Sequence, residues 1–207
     1  NSYGVVTDHP ELIDVNGTGQ RIPQFWNHVN GIDYNADLDQ IMISVRGNSE
    51  LFVIDHQLTT AQAASHSSGR YGKGGDILYR WGNPAQYNRG TAANQQLYQQ
   101  HHTHWIEAGC PGAGNILIFN NGIGRGYSTV NQIVPPVDAA GNYTITTGAA
   151  FGPTLPVWTY TTTPPTNFYS AEISGCQRLP NGNTLICEGI KGNLFEVTAA
   201  GQTVWRY

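Results

Sequence analysis

The chain has 207 residues, a formal net charge of −4 and 12% charged side chains, half the usual ~25%. With a pI near 5.9 it lacks the basic surface that nucleic acid or an anionic membrane attracts, and no apolar run approaches the roughly 18 residues of a membrane-spanning helix. Twenty-five Gly, eleven Tyr and five Trp beside a single Met exclude a coiled coil, and 39% hydrophobic residues exclude a disordered chain, which leaves an all-β protein.

The elements repeat along the chain. Residues 1–20 read as the tail of one strand unit. A first full unit, 21–90, has a strand at 28–34, a middle strand at Asp39–Gly47 and an outer strand at Ile77–Trp81. A second, 91–165, has strands at about 101–107, at Gly114–Gly122 and at Pro156–Tyr160. A third, 166–207, has strands at about 170–179, at Gly182–Gly189 and at Thr203–Tyr207. Turn residues punctuate these short apolar runs every ~8–12 residues, and each outer strand carries a Trp. The pattern predicts a β-propeller of four-stranded antiparallel blades, about three of them present. Each Trp is expected to pack between blades. Three blades leave unpaired flanks, so a missing propeller half or a homo-oligomer partner is expected. The insertions 56–76, 82–100 and 122–150 are polar, and the stretch 91–100 is expected to form one short helix.

Cys110, Cys176 and Cys187 show no CxxC spacing. Cys176 and Cys187 flank a turn and could face each other across a hairpin, as a disulfide or as free thiols. Asn16-Gly17-Thr18 and Asn142-Tyr143-Thr144 match the glycosylation sequon. Asp33, Asp37 and Asp39 lack the spacing of a calcium loop, and Gly72-Lys73-Gly74-Gly75 lacks the rest of a phosphate loop.

Seven His against two Lys is the chemical signal. His28 and Asn30 alternate on the first strand of one unit, and His101, His102 and His104 occupy the equivalent strand of the next. Innermost strands line a propeller's axis, so these imidazoles should converge there, with Arg46 at the end of the following strand. An Arg among imidazoles and amides, without a carboxylate, describes an anion site. A neutral His can also attack an electrophilic sulfur or phosphorus centre. His9, His56 and His66 read as structural. A metal held by His102 and His104 is the competing reading, but no third ligand is evident and no metal is assigned.

Four segments carry a family likeness. They are Trp26–Asn35 running into Ile43–Arg46, Gln100–Trp105, Phe119–Gly122 with Gly124–Gly126, and Gln177–Thr184. At these residues the chain resembles the bacterial arylsulfotransferase family, the PAPS-independent aryl-sulfate sulfotransferases. The resemblance implies a six-bladed propeller in the periplasm or outside the cell, of which this chain matches the C-terminal half. It implies sulfuryl transfer from an aryl sulfate donor to a phenolic acceptor, without a cofactor, through a sulfohistidine. His101 matches the nucleophile, with His102 and His104 as alternatives. His28, Asn30 and Arg46 match the sulfate-binding residues, and His102, His104 and Asn121 join the expected substrate-binding set. Ser170 or Ser174 is the candidate for a hydroxyl residue of the family. A non-catalytic secreted propeller that binds a ligand or another chain is the alternative function.

Overall fold

The computed structural model describes residues 4–15 and 27–207. The Asn16 sequon and Trp26 lie outside the described residues. Twelve strands build three four-stranded antiparallel sheets, each in simple chain order. The first holds β1 (Val29–Asn35), β2 (Gln40–Val45), β3 (Glu50–Asp55) and β4 (Tyr79–Trp81). The second holds β5 (His101–Trp105), β6 (Ile116–Asn120), β7 (Thr129–Ile133) and β8 (Trp158–Tyr160). The third holds β9 (Gly175–Arg178), β10 (Thr184–Glu188), β11 (Asn193–Val197) and β12 (Thr203–Arg206). The one α-helix among the described residues, α1 (Thr60–Ala63), is a single turn capped by Thr59 and Gln62. The expected all-β class and four-stranded units hold.

Strand alternation explains how the sheets stack. Successive residues of a strand face opposite sides, and β6 uses both sides for burial. Ile116 and Ile118 join Met42, Leu51, Val53, Tyr79 and Trp81 of the first sheet. Leu117 and Phe119 join Cys176, Ile186, Phe195 and Val197 of the third. The middle sheet is therefore the filling between two others. The edge strand β1 packs beside the edge strand β5, and the edge strand β9 packs against β6 and β5.

The outer-strand Trp residues act as expected between units. Trp81 Nε1–H donates to Pro153 O at 2.7 Å, in the second unit. Trp158 Nε1–H donates to Ala199 O at 2.8 Å, in the third. Trp205, on β12, is 47% exposed.

Three local expectations need correction. The stretch 91–100 forms only a 3-10 turn, Ala92–Asn94, capped by Thr91. The N–H groups of Gln96 and Leu97 bond to Gly82 O instead of continuing a helix, and Leu97 is buried between the first two sheets. The strand expected at 170–179 shortens to Gly175–Arg178, because the preceding loop is wound around Ser170. The cysteines are free: Cys176 lies opposite Ile186 and Cys187 opposite Gly175, so the two thiols fall on opposite faces of the sheet.

A buried ion pair ties the N-terminal segment to the first sheet. Arg80, on β4, meets Glu50 on β3 through Nε at 2.8 Å and Nη2 at 2.6 Å. Its Nη1 donates to Leu12 O at 2.9 Å, and Tyr87 stacks on the guanidinium 4.3 Å away. Removing one partner of such a pair leaves an uncompensated buried charge, which costs about 3–5 kcal/mol. Arg80→Ala is expected to lower unfolding stability by that amount, read from the urea midpoint. A loss below about 1 kcal/mol would show that the pair carries no such strain when broken.

Candidate functional site

Antiparallel pairing brings three equivalent corners to one end of the sheets. Arg46 N–H bonds to His28 O at 2.8 Å, where β2 ends and β1 begins. In the second sheet His101, the first residue of β5, pairs with Phe119, so the turn after β6 begins beside it. In the third, Gly189 N–H bonds to Ser174 Oγ at 2.9 Å, just before β9. His28, His101 and Ser174 thus hold corresponding places, at the head of each inner strand.

The heads of β1 and β5 are cross-linked. Asn30 Nδ2 donates to Gln100 O at 2.8 Å. Gln100, fully buried, sends its own Nε2 to Glu50 O at 2.8 Å and to Ser44 Oγ at 3.2 Å. Both inner strands are irregular here: the register shifts between Val29 and Gly31 on β1 and between His101 and His104 on β5. A bulge re-aims the side chains beside it, and this one breaks the simple alternation that the sequence suggests for His101, His102 and His104.

His101 is half-buried, and its Nδ1 lies 2.8 Å from Asn121 Oδ1. Burial lowers its pKa below the ordinary value, and the positive fields of Arg46 and His28 lower it further, against the Asn121 bond, which raises it. His28, Arg46, Asn30 and Asn121 therefore gather at His101. No carboxylate pairs with Arg46 among the described residues.

His102 and His104 take a different course. His102 adopts a left-handed backbone, φ +50°, and its Nδ1 accepts Cys176 N–H at 3.2 Å. Its ring lies against Gly175, where a Cβ would stand 3.2 Å from Nδ1. The ring of His104 packs on that of His102 at 4.6 Å, and burial pushes its pKa down to about 4. His102 thus links the second sheet to the third, and His104 packs behind it. Among the described residues, no cluster of three His, Cys, Asp or Glu is placed to hold a metal ion.

Asn121 has no exposed surface. Its Nδ2 donates to Ser170 O at 2.8 Å and to Ile173 O at 2.9 Å, so it points at His101 and the third sheet rather than into open space. Gly122 makes this turn possible: its φ is +79°, and a Cβ there would fall 1.7 Å from Tyr127 O. The candidate hydroxyls are also engaged. Ser174 Oγ donates to Ser170 Oγ at 2.8 Å, and Ser170 Oγ accepts Ile190 N–H at 3.1 Å.

Sequence reasoning assigned no role to Gln100 or Ser128. Gln100 stood inside the Gln-His motif, which was the available signal. Ser128, buried, donates to Asn121 O at 2.8 Å and accepts Ser170 N–H at 3.0 Å; nothing in its neighbours marks it. A cavity of about 390 Å³ lined by Trp81, Tyr87, Arg89 and Phe151 contains none of the site residues. Its polar groups are already bonded, Trp81 and Arg89 to backbone carbonyls and Tyr87 to a backbone N–H, so it offers little chemistry.

A solved structure of a protein of unknown function from Bacteroides caccae is similar at 12% identity and a TM-score of 0.45, over 86% of this chain and 45% of that one. The chain thus spans less than half the length of that protein. Among curated proteins none matches. The family model for arylsulfotransferase (ASST) matches residues 11–204, which take in the three sheets up to the first half of β12 and every residue of the candidate site, and the chain belongs to the arylsulfotransferase family.

Proposed function

We propose that the three sheets are consecutive blades of a six-bladed β-propeller outside the cytoplasm, and that His101 transfers a sulfuryl group from an aryl sulfate to a phenol. The observation that carries this reading is the convergence of His28, Asn30 and Arg46, from the first sheet, on His101 of the second. Family membership supplies the substrate classes, aryl sulfate and phenol.

The chemistry follows from the groups present. Burial first, and the charge of Arg46 nearby, lower the pKa of His101 and favour the neutral ring, which leaves a ring nitrogen with a lone pair. That nitrogen attacks sulfur and the phenolate departs. Arg46 takes two sulfuryl oxygens in a bidentate contact, and His28 adds a further donor. Asn30 holds the strand heads together through Gln100, so its contribution is to fix the spacing between the sulfate-binding and attacking groups. Such preorganised donors are the main electrostatic term in transfers of this kind.

The flank beyond β12 supports an additional sheet or chain. Trp81 and Trp158 are each capped by a carbonyl of the following unit, whereas Trp205 with Val204 and Tyr207 is exposed. The missing propeller half or a second copy would supply the cap.

Two experiments test the reading. With p-nitrophenyl sulfate as donor and a phenol as acceptor, His101→Ala is expected to abolish transfer, while His104→Ala retains most of it. Undiminished transfer by the His101 variant overturns the assignment. The pH profile is the second. A nucleophile must be unprotonated, and the pKa of His101 is lowered, so the acid limb of kcat/KM should lie below the ordinary ~6.5 of histidine. Arg46→Met removes a positive neighbour and should move that limb upward, with a loss in kcat of about 10²–10³. An unmoved limb contradicts the proposed proximity of Arg46 and His101.

A further inference from the structure

The amide of Asn121 cannot be turned around. Ser170 O and Ile173 O are acceptors only, and they lie 2.8 and 2.9 Å from the amide nitrogen. They take both of its hydrogens, which forces the amide oxygen toward His101. An amide oxygen only accepts, so the His101 ring nitrogen 2.8 Å away, Nδ1, must carry the proton. The lone pair of the neutral ring is then on Nε2. In an isolated histidine side chain the opposite tautomer, with the proton on Nε2, prevails. The fold therefore selects the form that solution disfavours.

We infer that Asn121 is a positioning residue and not a substrate ligand: it holds His101 in the tautomer whose Nε2 is the nucleophile, and the loop before β9 fixes Asn121. The inference rests on the reading of His101 as the attacking group. It gives the third sheet a part in the reaction. Ser170 and Ile173 belong to the loop that leads into β9, and that loop is braced by Ser128 from the second sheet and by Ile190 and Gly189 from the turn after β10.

The step balances without moving a proton. The Nε2 lone pair forms a bond to sulfur, the sulfur–oxygen bond to the aryl group breaks, and the donor leaves as phenolate with that bonding pair. The ring becomes an N-sulfo imidazolium with its proton still on Nδ1. Its bond to Asn121 Oδ1 strengthens because the donor is now charged. The acceptor enters as phenolate, bonds to sulfur, and the Nε2–S pair returns to the ring. With the other tautomer the lone pair would sit on Nδ1, facing a buried amide, where no sulfur can reach.

The test is the ring-nitrogen NMR spectrum of the 15N-labelled protein at a pH where His101 is neutral. The expected result is a protonated Nδ1 and a far-downfield, unprotonated Nε2. In Asn121→Ala the proton should move largely to Nε2, and kcat should fall about 10- to 100-fold, the usual effect of losing a residue that orients a functional His, with KM little changed. Asn121→Asp retains an acceptor for Nδ1–H and should keep the tautomer. Its negative charge favours the imidazolium, so the acid limb of the pH profile should rise. A wild-type spectrum with the proton on Nε2 overturns the inference even if no variant folds, and so does an Asn121→Ala spectrum that matches wild type. The spectra need no turnover: a correct tautomer with an active His101→Ala variant would sink the nucleophile reading alone.

Discussion

A few buried amides hold the heads of the inner strands in place, and the site depends on them. The sheets are not joined to one another by strand pairing, and apolar side chains between sheets set distance but tolerate sliding. A buried amide tolerates none, because an unmet donor costs about 1–3 kcal/mol. Gln100 spends its Nε2 on Glu50 O and Ser44 Oγ, while its main-chain oxygen takes Asn30 Nδ2. The next residue is His101. The same logic operates on the far side, where Asn121 reaches from the second sheet to two carbonyls of the third. His101 thus sits between two amide clasps, one to each neighbouring sheet.

The electrostatics follow from that placement. Neither His28 nor Arg46 needs to touch His101 to affect it, since positive charge nearby in a partly desolvated corner disfavours the imidazolium. Burial is the largest influence and, with Arg46 and His28, favours the neutral ring; the hydrogen bonds to Asn121 and to the Gln99 backbone oppose them, and the net shift is downward. In the proposed reaction the neutral ring attacks an anion held by Arg46, which has no carboxylate partner among the described residues. His102, the next residue, bonds to the third sheet, and His104, three residues on, packs on its ring.

Much of the fold was legible because it rests on short-range rules. Gly114–Gly122 and Gly182–Gly189 repeat each other, and both are turn-and-strand units built on the central β6 and β10. The Trp of each outer strand has the size and the single N–H donor to bridge two units, and Trp81 and Trp158 do so. The site was legible in part. Strand pairing and the order of the sheets place His28, Asn30 and Arg46 at the head of β1 and His101 at the head of β5, which Asn30 joins through Gln100 O. What was not legible came from irregular backbone and long-range bonds. The bulge at the head of β5 separates His101 from His102 and His104, and no local pattern marks it. The stretch 91–100 looks helical by composition, yet Gly82 O captures its N–H groups. Asn121 read as a polar group near the site; its role depends on Ser170 and Ile173, roughly fifty residues further along the chain.

The central claim is that His101 carries the transferred group. The most direct measurement is the intact mass of the protein, followed by peptide mapping, after brief exposure to an aryl sulfate without acceptor. The account predicts one sulfuryl increment located on His101, discharged when a phenol is added and absent in His101→Ala. An adduct on another residue, or one that survives in the His101 variant, would contradict it.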